Sequence, residues 1–191
     1  MTTASHGDDA PPGPLSDSDG KELCRIALTT LREYAYSGNL PPGAPHRKSL
    51  LVKSAAAVHL YEEQKLRGSA ILVEAEHPLY YTVELAAVQA GFFDPRGERV
   101  TSDDVNDLRI VVTVLGPTVT LADPAREVDP TQQAVVVRRG PCQGAFTPEC
   151  VREQRWSRDE FLEAVWRSVG ARAGETDLVW QVFATHSFSS R

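Results

Sequence analysis

Four residues in one short stretch, Leu66-Arg67-Gly68-Ser69, combine a guanidinium, a glycine and a hydroxyl. A glycine beside a cation and a hydroxyl lets a ligand come close to the backbone. Arg67 could hold an anionic group through two parallel hydrogen bonds, and Ser69 could donate or accept another. The structural alternative is a hairpin glycine that is needed only for local geometry, and the pattern alone favours this alternative.

Two further positions carry groups that could bind or react. Asp94 and Arg96 flank a proline just after a helix that is predicted to end at Gly91, and an internal ion pair that fixes the loop is the favoured interpretation. His59 lies in the middle of a predicted strand, where it could act as an acid or a base. A single histidine in a strand is more often a structural residue, so both interpretations stay open.

The sequence contains none of the standard motifs for catalysis or for phosphate and dinucleotide binding. The five histidines are far apart and show no metal-ligand spacing. The three cysteines form no CxxC pair, and their odd number argues against a disulfide framework. We therefore expect no metal and no cofactor, and thiols that stay reduced in the cytoplasm.

Length and charge limit the function further. The 191 residues are enough for one domain or for two small lobes that share a core. Residues 1–20 contain four Asp and no Lys or Arg, so the other residues carry only −2 of the formal net charge of −6. A nearly neutral body without a basic stripe disfavours nucleic-acid binding. The apolar runs are too short to span a bilayer, and residues 1–15 lack the pattern of a secretory signal.

The elements that position these residues alternate between strands and helices without a strict βαβ order, which indicates an α+β fold. Residues 1–19 are predicted to form a flexible acidic tail, and residues 20–191 a single domain. The first helix is predicted to begin near Asp19 and to end at Gly38. A second capping box is formed by Ser157 and Glu160.

The candidate residues meet in a predicted hairpin within residues 50–73. If residues 62–64 form a three-residue turn, His59 lies opposite Arg67, and His59, Arg67 and Ser69 share one face of the hairpin. This register also gathers the apolar residues on the other face, so we favour it. A two-residue turn would instead pair Ser69 with Val58 and remove His59 from the site.

Several blocks of the chain, in order, resemble the AMMECR family. The first block is residues 49–71, SLLVKSAAAVHLYEEQKLRGSAI, which is similar to a strand, a polar turn and the family motif Leu-Arg-Gly-Cys-Ile-Gly. Similar blocks follow at residues 77–96 and 108–117, and the likeness extends over residues 21–185. The chain departs from the motif at Ser69, where the family usually has Cys, so a thiol of the family is missing at this position.

The resemblance implies a two-lobed single α+β domain with a mainly antiparallel sheet, flanking helices and a cleft near Arg67-Gly68-Ser69. It also implies small-molecule or modification chemistry, with radical S-adenosylmethionine or Memo-type proteins as candidate partners. Our first hypothesis is a cofactor-independent enzyme for a small polar or anionic substrate. Its site residues are then Ser69 and His59 for catalysis, with Arg67, Gly68, Asp94 and Arg96 for binding. The alternative is a non-catalytic protein-interaction module.

Overall fold

The computed structural model of the protein describes residues 15–43, 45–175 and 177–191. Its centre is a six-stranded sheet in which every pair of neighbouring strands is antiparallel. The strands are β1 (Ala55–Glu62), β2 (Lys65–Leu72), β3 (Leu108–Val119), β4 (Gln133–Arg139), β5 (Cys142–Phe146) and β6 (Val179–Ser189), in the order β2-β1-β3-β6-β4-β5. The prediction of an α+β domain with a mainly antiparallel sheet is confirmed.

Five α-helices flank the sheet in the described part of the chain. They are α1 (Asp17–Ser37), α2 (Leu79–Val88), α3 (Pro124–Glu127), α4 (Pro148–Gln154) and α5 (Arg158–Ser168). A π-helical turn (Gln89–Phe93) continues α2, and two 3-10 turns lie at Lys48–Leu51 and Asp104–Asn106. None of the described helices has both the length and the apolar character that a membrane crossing requires.

The two main apolar clusters of the described residues pack on this sheet. The larger cluster joins α1 and α2 to β1 and β3, with Leu23, Val58 and Val83 completely buried. The smaller cluster joins α4 and α5 to the strands at the other end of the sheet. Strand β6 takes part in both, because Phe188 belongs to the larger cluster and Val182 to the smaller one. Burial of this apolar surface is the main force that holds the layers together.

The first helix begins earlier than the sequence pattern suggested. Ser16 is its N-cap, and Ser16 and Asp19 bond each other's backbone amides in a capping box. Asp19 thus ends the first turn instead of opening the helix, and the predicted domain boundary at residue 20 falls inside α1. The rest of the predicted tail, residues 1–14, lies outside the described residues. Gly38 ends the helix with a positive φ of 72°, as predicted.

Candidate functional site

The hairpin of β1 and β2 decides which candidate residues meet. Its turn has two residues, because Glu62 pairs with Lys65, but the register then shifts so that Leu60 pairs with Gly68 and His59 with Ser69. Neither predicted register is correct, since each assumed a regular ladder. Arg67 is the additional residue of a β-bulge, and a bulge moves all later pairs by one. His59 therefore lies opposite Ser69 and not opposite Arg67.

Because of this bulge, Arg67 does not lie in the predicted cluster with His59 and Ser69. Its guanidinium donates to the backbone carbonyls of Glu98 and Arg99, and it lies 3.7–3.9 Å from carboxylate oxygens of Glu62, Glu98 and Asp104. Only 15% of its side chain is exposed. These contacts show that Arg67 fastens the loop after the π-helical turn to the sheet, and they leave little of its guanidinium for a ligand.

Gly68 is required for packing against a distant element, and not for the local hairpin geometry that the structural alternative assumed. A Cβ atom at this position would lie 2.1 Å from the carbonyl oxygen of Ala90 in the π-helical turn. Only a residue without a side chain lets β2 and this turn approach so closely. The glycine therefore permits the contact that positions the next residues of both elements, Ser69 and Asp94.

Ser69, Asp94 and Arg96 form a compact hydrogen-bonded group. The Arg96 guanidinium donates to both carboxylate oxygens of Asp94, at 2.9 and 2.7 Å, and to the Ser69 hydroxyl at 2.7 Å. Asp94 also accepts from the backbone amide of Ser69 at 2.8 Å. Burial alone would raise the pKa of Asp94, but the hydrogen bonds from Arg96 and from the amide of Ser69 outweigh it and lower this pKa to about 2. The predicted ion pair is present.

The π-helical turn sets the position of this group. A π turn widens the helix by one residue and is common at functional sites. Here the turn ends at Phe93, directly before Asp94, and its carbonyl at Ala90 rests on Gly68. Because β2 is an edge strand, the Ser69 amide has no further strand to bond, and Asp94 supplies the acceptor instead.

A cleft of about 630 Å³ opens beside this group. Its polar wall is Ser69, Asp94 and Arg96, while the rest of its surface is mainly apolar and comes from β2, α2 and the π-helical turn. The remaining lining residues are Ala70, Ile71, Leu85, Val88, Gln89, Phe93 and Pro95. The volume lies in the range of small-molecule sites, which runs from about 300 to 1,000 Å³.

His59 lies next to Ser69 across the pair of β1 and β2, but it is not among the residues that line this cleft. Its side chain is completely buried, and its Nε2 lies 3.3 Å from the hydroxyl of Thr147, directly before α4. Burial lowers the pKa of His59 to about 4, even though the nearby carboxylate of Glu149 acts to raise it. A histidine without solvent access that stays neutral at pH 7 is poorly placed to exchange protons with a bound molecule.

Helix α4 brings further polar groups to the His59 side of the hairpin, and these groups were not predicted from the sequence. Glu149 accepts from Ser187 at 2.9 Å and from Arg152 at 2.6 Å, and the Tyr61 hydroxyl donates to Glu153. The sequence does hold a signal for α4, because a threonine followed by proline is typical of a helix start. The helix has only seven residues, so no apolar periodicity supports that signal.

The arrangement is better suited to binding than to nucleophilic attack. The Ser69 hydroxyl accepts from Arg96, a cation that cannot remove its proton, and no base is hydrogen-bonded to this hydroxyl among the described residues. Burial raises the pKa of the Cys150 thiol in α4, so this group is held as a thiol. No three His, Cys, Asp or Glu side chains of the described chain converge as metal ligands would.

Comparison with known proteins identifies the family. The AMMECR1 family model matches residues 24–188. Among similar proteins, one from Aeropyrum pernix is 29% identical over 178 residues, which are 88% of this chain and 74% of that protein. A protein from Methanothermobacter thermautotrophicus is 28% identical over 157 residues, 78% of this chain and 81% of its own length.

The fold has a counterpart among solved structures. The crystal structure of an uncharacterized protein from Pyrococcus horikoshii superposes with a TM-score of 0.83 at 23% sequence identity, over 92% of this chain and 93% of the other. At this sequence identity the superposition shows that the two proteins share a fold, and nothing more. The family match covers the hairpin, the cleft and α4, and from it we conclude that this chain belongs to the AMMECR1 family.

Proposed function

We propose that this protein binds a small polar or anionic molecule in the cleft beside Ser69 and Arg96. The observation that supports the proposal is that the Arg96 guanidinium is both fixed in position and accessible to solvent. It is held by hydrogen bonds to Asp94 and Ser69, yet 65% of its side chain is exposed. A cation that is both fixed and accessible has lost its rotational freedom before a ligand arrives, which lowers the entropic cost of binding.

The remaining donors of Arg96 support the same proposal. Nε and Nη2 bond Asp94 and Ser69, whereas Nη1 has no hydrogen-bond partner among the described residues. A guanidinium presents its donors in a fixed plane, so a ligand oxygen can bond Nη1 without disturbing the pair with Asp94. Binding of this kind is the first step that a cofactor-independent enzyme would need, and turnover would then use groups other than the buried His59.

The test is a titration of the protein with small carboxylates and with inorganic phosphate, in which binding is monitored through the backbone amide signals in NMR. We expect saturable shifts at Ser69, Ala70 and Phe93 and at least a tenfold loss of affinity in Arg96→Gln. Arg126→Gln is the matched control, because Arg126 lies on α3 with 88% of its side chain exposed. Shifts that do not saturate, or that persist unchanged in Arg96→Gln, would contradict the proposal.

The non-catalytic interaction module is the second candidate, and one observation favours it. Phe93 is 58% exposed at the cleft, although aromatic rings are usually covered in a folded protein and are enriched at interfaces. A loop of a partner protein could cover the ring and place a carbonyl oxygen on Arg96. If Phe93→Ser and Arg96→Gln both abolish capture of a partner while no small molecule binds, this second function is supported.

A further inference from the structure

We infer that the ligand of this cleft is a monocarboxylate with a short apolar body, and not a phosphate or another polyanion. This inference rests on the proposed function, since it names the chemical class of the molecule that the same cleft binds. Three features of the cleft support it: the balance of charge, the direction of the helix that ends there and the apolar character of most of the other lining residues.

The charge of the cleft is balanced before any ligand binds. Arg96 and Asp94 are the charged members of its lining, and they form a direct ion pair at 2.7 Å. The carboxylate of Glu153 also acts on Arg96. One ligand carboxylate can share the Arg96 guanidinium by accepting from the free Nη1. A dianion would add two negative charges beside a single cation, Arg96, that is already paired with Asp94.

The helix adjacent to the cleft points the wrong way for phosphate. Phosphate sites commonly use the backbone amides and the positive end of a helix N-terminus. Here α2 and the π-helical turn run from Leu79 to Phe93 and end at the cleft, so the carbonyl end of the helix lies there. This end carries partial negative charge, so it repels a ligand with two negative charges more strongly than a ligand with one.

The apolar wall of the cleft favours a ligand with an apolar body. Ile71, Leu85 and Val88 belong to this wall, and none of these residues offers a side-chain hydrogen bond. Phe93 also lines the cleft, and more than half of this residue is exposed. A ligand that consisted only of polar groups would have to give up water against this surface without replacing its hydrogen bonds, whereas an apolar chain or ring would cover Phe93 favourably.

A matched set of four small-molecule probes tests whether the ligand is a monocarboxylate with an apolar body. 3-Phenylpropionate has both parts, 3-phenylpropionamide lacks the charge, 2-phenylethyl phosphate carries a second charge, and propionate lacks the ring. Dissociation constants are measured at pH 7.5 and constant ionic strength from amide shifts of the full chain. We expect 3-phenylpropionate to bind at least fivefold more tightly than each of the other three.

Two variants separate the contributions of the two walls. Arg96→Gln should bring the dissociation constants of 3-phenylpropionate and its amide within twofold of each other. Phe93→Ser should at least halve the preference for 3-phenylpropionate over propionate, because Ile71, Leu85 and Val88 remain in the wall. Tyr36→Ser, at a ring on α1 that is 87% exposed, is the control for Phe93→Ser and should keep the preferences of the wild type. Dispersed amide spectra of each variant show that it is folded.

The outcomes distinguish this inference from the proposed function. If the phosphate binds more tightly than the carboxylate and depends on Arg96, the carboxylate class is wrong while the cleft remains a binding site. If 3-phenylpropionamide and 3-phenylpropionate bind the wild type with equal affinity, the carboxylate class is also wrong, because the charge of the ligand then contributes nothing to binding. If no probe shows binding that depends on Arg96, the proposed function itself fails.

Discussion

The carboxylate of Asp94 accepts a hydrogen bond of 2.8 Å from the backbone amide of Ser69. This single contact joins the end of the π-helical turn to the edge strand of the sheet. The same carboxylate holds Arg96 in place, so the geometry of the cleft and the covering of the sheet edge depend on one side chain.

Asp94→Asn should destabilise the protein by about 2 kcal/mol at pH 7, because the ion pair with Arg96 is lost. The pKa of Asp94 is about 2 in the folded protein and close to 3.9 in an unfolded chain. A lowered pKa stabilises the fold above the unfolded value, and this stabilisation disappears as the pH falls through about 2. Urea denaturation should therefore show the wild type and Asp94→Asn converging between pH 4 and pH 2. An unchanged difference at pH 2.5 would contradict this assignment.

Arg67→Ala should lower the free energy of unfolding by about 1–3 kcal/mol, since it removes charged hydrogen bonds to the loop carbonyls of Glu98 and Arg99. Binding in the cleft should stay within twofold of the wild type. Thermal denaturation and the titration of 3-phenylpropionate measure the two effects on one sample. A stable Arg67→Ala protein that no longer binds 3-phenylpropionate would place Arg67 in the binding site, as predicted from the sequence.

Gly68→Ala should destabilise the fold by about 1–3 kcal/mol or more, because the added methyl group meets the backbone of the π-helical turn. A backbone carbonyl cannot rotate away as a side chain can. Gly116→Ala is the control, since its Cβ would find its nearest neighbour, the Ala184 carbonyl oxygen, at 3.3 Å. Chemical denaturation should show a clearly smaller loss for the control. Equal losses would mean that the close approach at Gly68 relaxes easily.

Glu84→Gln should stabilise the protein at pH 8 by about 1–3 kcal/mol and have much less effect at pH 5. Glu84 is 5% exposed on α2, and burial raises its pKa to about 7. Because the folded pKa lies above the unfolded one, the fold loses stability as the pH rises from about 4.5 to 7, where the buried group must ionise. Glu163→Gln on α5 is the control for the same side-chain change at a position where 70% of the side chain is exposed.

The sequence predicted those features that local chemistry decides. Ser157 and Glu160 form the expected capping box, because both partners lie within one turn of a helix. The ion pair of Asp94 and Arg96 was also expected, since two residues across a proline cannot move far apart. In each case the interacting groups are close along the chain, and no distant element is needed to bring them together.

The features that the sequence did not predict depend on contacts between distant elements. The bulge at Arg67 is stabilised by loop carbonyls about 30 residues away, which no periodicity of the strand can show. The close packing of Gly68 on Ala90 likewise requires the π-helical turn. Helix α4 was missed because it is short, and with it the surroundings of His59. A strand pattern gives the face of a residue only when the ladder is regular.

Strand β6 carries a consequence for how the protein unfolds. It pairs with β3 on one side and with β4 on the other, and it contributes Phe188 and Val182 to the two apolar clusters. Neither cluster can open without breaking hydrogen bonds of this strand, so the two halves should melt in one cooperative transition. The amides of β6 should accordingly be among the slowest to exchange with deuterated solvent, with opening energies close to that of global unfolding.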